Sequence, residues 1–190
     1  EAAKGQPLRL EIVDPFGESR VVYSTQPDKA RKERQLRVKS GLNRLEWNLR
    51  YAAPETQPGA RFSLANLSGV KAVPGTHTVV MTMGEARWQK TLEVKIDPRW
   101  TQTPADLQAQ HDLSLQVMHL LNDCHETIGA IRDLRQQIKD IQQRMNKNQQ
   151  PRTTFNELSK TVLDQLSQLE QQLIQTQSES GQDPINYPPM

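Results

Sequence analysis

The sequence predicts an α+β chain, in which an antiparallel β-sandwich of immunoglobulin or fibronectin type III kind precedes a long antiparallel helical hairpin. Three observations predict it. Apolar and polar residues alternate in several short stretches before Asp97, and apolar residues recur every three or four positions after Thr103. Composition changes at the same place. Residues 1–100 hold 17 Lys and Arg against 11 Asp and Glu, residues 101–190 hold 7 against 11, and 17 of the 22 Gln lie in the second part. The implied organisation is a sandwich domain over 1–100, a helical hairpin over 101–178 and an extended Pro-rich tail over 179–190.

In the first part, strands read at 8–13, 19–25, 35–39 and 76–83. In GLNRLEWNLRY (41–51), Leu45, Trp47, Leu49 and Tyr51 alternate with Arg44, Glu46, Asn48 and Arg50, the pattern of a strand with one face in a core and one in water. WQKTLEVKID (88–97) alternates in the same way, with Lys90 as the exception. Asp14-Pro15-Phe16-Gly17, Ser40-Gly41, Pro74-Gly75 and Gly84-Glu85 fit tight reversals. Residues 26–35 and 52–73 read as surface loops.

The helical part opens at Thr103, a good N-cap. Pro104 suits the first helical position and Asp106 sits where a capping box closes. Val117, Leu121, Cys124, Ile128, Ile131, Leu134, Ile138, Ile141 and Met145 form a seam with spacings of three and four, so one helix is expected from about 104 to 147. NKNQQPRTT (146–154) reads as the reversal. A second helix follows, capped at Thr154 with Glu157, its seam running through Phe155, Leu158, Val162, Leu166, Leu169 and Leu173. Because the second helix is shorter, Leu113, Val117, Met118 and Leu121 have no helical partner and are the candidate interface. The tail is expected to be extended, and the natural chain to continue past it.

Chemical signals are sparse. The sequence has no glycine-rich phosphate loop, GxSxG elbow, HExxH or CxxC. His111, His119 and His125 stand eight and six residues apart, which does not put two ligands on one helical face, so they read as solvated or capping and no metal is expected. Cys124, the sole cysteine, excludes an internal disulfide and reads as a small core residue. Asp14, Glu46 and Asp97 have plain roles in turns and strands. The basic run KARKERQLRVK (29–39) lacks aromatic interleaving and reads as a solvated loop, not a nucleic-acid site. No apolar run approaches the roughly 18 residues needed to span a bilayer.

GLNRLEWNLRY, then VPGTHTVVMTMG (73–84), LEVKIDPRWTQTPADLQAQHDLSLQV (92–117) and INYPP (185–189), in this order, resemble the C-terminal region of bacterial sortilin-like, BNR-repeat β-propeller proteins, often labelled glycosyl hydrolase-like. The resemblance implies a large propeller preceding this region, a periplasmic or secreted location, and any chemistry residing on the propeller. It carries over no catalytic residue and no cofactor. Asn43, Arg44, Trp47, Asn48, Arg50, Pro74, Gly75, Asp97, Pro98 and Arg99 match as fold determinants, with Trp47, Arg50, Asp97 and Arg99 the structural candidates and Arg50 or Arg99 expected to bridge sandwich and helix.

The functional expectation is a non-catalytic accessory module. It would pack on a β-propeller in cis, or assemble with another subunit in trans, with oligomerisation as one form. The alternative is carbohydrate or cell-surface binding through Trp88 or Trp100 as part of a glycosidase-like exported protein.

Overall fold

The structure, a computed structural model, describes residues 6–60, 67–147 and 153–177. The expected tail at 179–190 lies outside them, as does the middle of the expected reversal. The chain divides into two compact units: Glu1–Ala53 with Ser68–Met118, and Pro54–Leu67 with His119–Met190.

The first unit is built on β1 (Leu8–Val13), β2 (Ser19–Ser24), β3 (Arg34–Gln35), β4 (Gly75–Met83) and β5 (Ala86–Val94). They form one five-stranded sheet in the order β3-β2-β1-β4-β5. The pairs are antiparallel except β2 with β3, which is parallel. This corrects the sandwich expectation, since among the described residues there is a single mixed sheet and no second one facing it. Short turns set the antiparallel register. Asp14 caps the β1–β2 turn, with Gly17 at φ +90°. Gly84 at φ +57° opens the two-residue β4–β5 turn, where a side chain would be strained.

Alternation then sorts the side chains. The register puts Leu8, Leu10 and Ile12 on the same face as Val21, Tyr23, Val79 and Met81. Ile12, Val21 and Tyr23 are buried there under Leu36, Tyr51, Val70 and Ala72, with Trp47, Leu115 and Met118 packed against the cluster. The opposite face is largely polar: Arg9 pairs with Glu11 and Glu33 at 3.1 and 3.3 Å.

The second layer fails as a sheet at residues 44–51. Leu49 adopts φ +55°, the left-handed region that an extended strand excludes, and the Arg50 amide donates to the Asn48 side chain at 3.2 Å. The chain therefore turns within the alternating stretch. Leu45 and Leu49 stay exposed while Trp47 and Tyr51 are directed inward. A short ladder survives: Tyr51 donates to Val70 O and Ala72 donates to Leu49 O. The basic run is also less solvated than its charge implies. Arg34 donates to the Tyr23 hydroxyl at 3.1 Å and to Tyr51 O at 2.9 Å, fixing β3 to the core.

Helix α1 (Pro104–Lys147) starts at the expected cap. The Thr103 amide and hydroxyl donate to Asp106 Oδ2, and the Asp106 amide returns a bond to Thr103 Oγ1. Removing the hydroxyl with Thr103→Ala is expected to speed amide exchange in this first turn roughly fivefold, measured by hydrogen–deuterium exchange, without altering the sheet.

In the second unit, Ile128 and Ile131 of α1 and Leu166 of α2 (Thr153–Leu173) are buried. The Pro54–Ala60 segment lies along α1. Glu55 and Gln57 amides donate to Asn122 Oδ1 and His125 Nδ1, and Arg132 donates to Pro58 O. The expected hairpin of long antiparallel helices is not formed. Among the described residues no Cα of α1 comes within 8 Å of one in α2, and Leu134, Ile141, Leu158, Val162, Leu169 and Leu173 of the expected seams are exposed. An ion-pair triad links the helices. Arg132 and Arg135 converge on the buried Glu170 at 2.7 and 2.8 Å. Among the described residues no helix is long and apolar enough to cross a membrane.

Candidate functional site

The first unit holds a pocket of about 250 Å³ where the 70–74 segment, the end of β5 and the first turns of α1 meet. Its walls are apolar: Leu49, Val70, Val73, Val94, Ile96 and Leu107. Lys71, Asp97, Trp100, Gln110, His111 and Ser114 supply the polar groups. The Lys71 ammonium lies 4.4 Å from the Trp100 ring centre, and Trp100 is 46% exposed.

Behind the pocket wall runs a buried polar chain. Asp14 accepts from the amides of Phe16 and Glu18 at 2.9 Å and from Arg20 Nε at 2.7 Å. Burial alone raises the Asp14 pKa, but Arg20 and the two amides outweigh it and hold the carboxyl below its usual range. The Arg20 guanidinium lies 5.3 Å from the Tyr51 ring centre. Burial, with a contribution from the Asp14 charge, pushes the Tyr51 phenol up to about 12, so the hydroxyl stays protonated, and it is hydrogen-bonded to His111 Nε2 at 3.3 Å. His111 Nδ1 faces Asp112 at 3.3 Å. His77 is fully buried beside Trp47, its ring 5.5 Å away, with Nδ1 donating to Gly75 O and Nε2 without a partner among the described residues. Desolvation lowers its pKa.

These engagements limit the chemistry. His111 has both ring nitrogens occupied, and the Ser114 hydroxyl donates to Gln110 O at 2.7 Å, so neither is poised as base and nucleophile for the other. Hydrogen bonds from Arg99 hold the Asp97 carboxyl below its usual range, which keeps it ionised and paired. Among the described residues no group of three or more His, Cys, Asp or Glu is placed to hold a metal ion.

The residues singled out in the sequence fall in several places. Leu113 and Val117 are 61% and 57% exposed, whereas Met118 packs against the core of the first unit and Leu121, in the second, is half-buried. Trp47 donates from Nε1 to Arg50 O, and Arg50 donates to Gly69 O at 3.0 Å. Asp97 and Arg99 pair with each other. Arg50 and Arg99 thus serve local loops, and neither forms the expected ion pair to the helix among the described residues. Cys124 is free and partly exposed. Buried His111 and His125 depart from the solvated reading. A signal for His111 was available: Leu115 and Met118 follow it by four and seven residues, which puts all three on one helical face. Lys71 carried no such signal.

No family model matches the chain, and no curated protein or solved structure does either.

Proposed function

We propose that the chain is a non-catalytic protein-assembly module whose contact surface is the outward face of α1 around Leu113 and Val117. One observation carries this reading: within the first unit α1 carries apolar side chains outside its core-facing side as well as on it. His111, Leu115 and Met118 face the core, yet Leu113 and Val117 lie roughly 100–160° around the helix from them and are more than half exposed. A helix that packs once on a domain ordinarily turns polar side chains outward. Covering two such side chains contributes about 1.5–3 kcal/mol each. The partner is another protein surface, either a propeller joined to this chain or a further subunit.

Light scattering coupled to size exclusion tests the trans form. The expected result is a concentration-dependent species heavier than 21.7 kDa, with Leu113→Glu/Val117→Glu weakening association on the order of 100-fold. A monomer at every concentration, unchanged by the substitutions, removes this reading. A second reading, carbohydrate binding, rests on Trp88, 47% exposed on β5. Glycan-array binding lost in Trp88→Ala supports it, and the assembly reading expects no array signal.

A further inference from the structure

We propose that the pocket of the first unit binds a small apolar carboxylate, such as a medium-chain alkanoate, with its chain against the apolar walls and its charge on Lys71. This goes beyond the assembly role and uses a different surface.

Size is the first constraint. Ligand pockets usually span about 300–1,000 Å³, and this one is about 250 Å³. That is the space of about eight waters at about 30 Å³ each, which restricts the occupant to on the order of ten non-hydrogen atoms.

Polarity is the second. Leu49, Val70, Val94 and Leu107 line the cavity, and a sugar or other polyol there would leave most of its hydroxyls unpaired, at a cost for each. The Ser114 hydroxyl is consumed by its own helix backbone.

Charge is the third. Of the ionic groups on the lining, Asp97 is held by Arg99, and Lys95 pairs with Glu93 at 3.3 Å. Lys71 rests on the Trp100 ring and has no carboxylate within ion-pair distance among the described residues. The pocket therefore offers one uncompensated positive charge beside an apolar cavity. An anion with an apolar body matches it, whereas a cation would meet Lys71 and find Asp97 already paired.

Calorimetric titration of the whole chain with octanoate, and separately with octanol, tests the assignment. Octanoate is expected to bind at one saturable site, about tenfold tighter than octanol, the difference being one charge-assisted contact. Lys71→Met is expected to abolish that preference and leave octanol binding unchanged. Leu107→Trp, which fills the cavity, is expected to abolish both, with circular dichroism and melting temperature showing that the fold is retained. Should that variant unfold, a shift of the Trp100 indole N–H resonance on adding octanoate to the unaltered chain locates the site instead. Absence of saturable octanoate binding overturns the proposal, as does unchanged octanoate affinity in Lys71→Met, or an unmoved Trp100 resonance.

Discussion

Asp14→Ala is expected to lower the unfolding free energy of the first unit by about 3–5 kcal/mol, the range for removing one partner of a buried ion pair. The Asp14 side chain is fully buried, and its two oxygens accept from two turn amides and from Arg20. Its loss leaves the Arg20 guanidinium, 22% exposed, and both amides without their acceptor. Asp14→Asn keeps an acceptor for the turn but not the charge, and should cost about half as much. Urea denaturation followed by tryptophan fluorescence checks both. The pH dependence follows from the direction of the shift. Because the folded pKa lies below the unfolded one, the carboxylate stabilises the fold fully above the unfolded value of about 3.9. That contribution fades as pH falls from there through the folded pKa. The penalty for Asp14→Ala should therefore be smaller at about pH 3 than at about pH 7. An equal penalty at both would mean that packing, not charge, is what the substitution removes.

Glu170→Ala is expected to cost the second unit about 3 kcal/mol, at the lower end because Arg132 and Arg135 are partly exposed. Two arginines on one buried carboxylate leave an excess of positive charge even with the triad intact. Removing Glu170 strands both guanidiniums. Burial would raise the Glu170 pKa, but hydrogen bonds from Arg132 and Arg135 prevail and set it below the usual value. The triad thus stabilises above about pH 4 to 5 and weakens as acid protonates it. Hydrogen exchange should show α2 amides losing protection in Glu170→Ala while β1 and β4 keep theirs. Replacing the whole triad with Arg132→Met, Arg135→Leu and Glu170→Leu should recover most of the loss, since apolar substitutes carry no desolvation cost. Unaltered α2 exchange in the single variant would show that the ionic link does not hold the helix.

Much of the architecture was legible because local rules govern it. Period-two alternation marks β1, β2, β4 and β5, whose residues need only an extended backbone, although no side chain of β5 is buried. The start of α1 was equally legible, since the Thr103 and Asp106 side chains saturate the first amides through bonds spanning three residues. Alternation misled at 44–51, where the period of two is real but the backbone reverses at Leu49. The turn lets Trp47 and Tyr51 enter the core from a loop, so the same inward pair arises without a strand.

The helical seams misled for a related reason. Spacings of three and four specify an apolar stripe but not what covers it. Here Ile128, Ile131 and Leu166 are covered and Leu134, Leu158 and Leu169 are not. The pocket was hidden more deeply. Lys71 meets Trp100, and Tyr51 meets His111, only after segments twenty to sixty residues apart have docked.

By itself, then, the sequence determined where the chain extends, where it turns and where the long helix begins, because each depends on side-chain pattern and hydrogen bonds within a few residues. Only the tertiary structure decided that the strands make one mixed sheet, that a loop replaces the second layer, and that an uncompensated lysine faces an apolar cavity. Those outcomes depend on which distant surfaces win the competition for burial, a comparison of whole packings that no local pattern encodes.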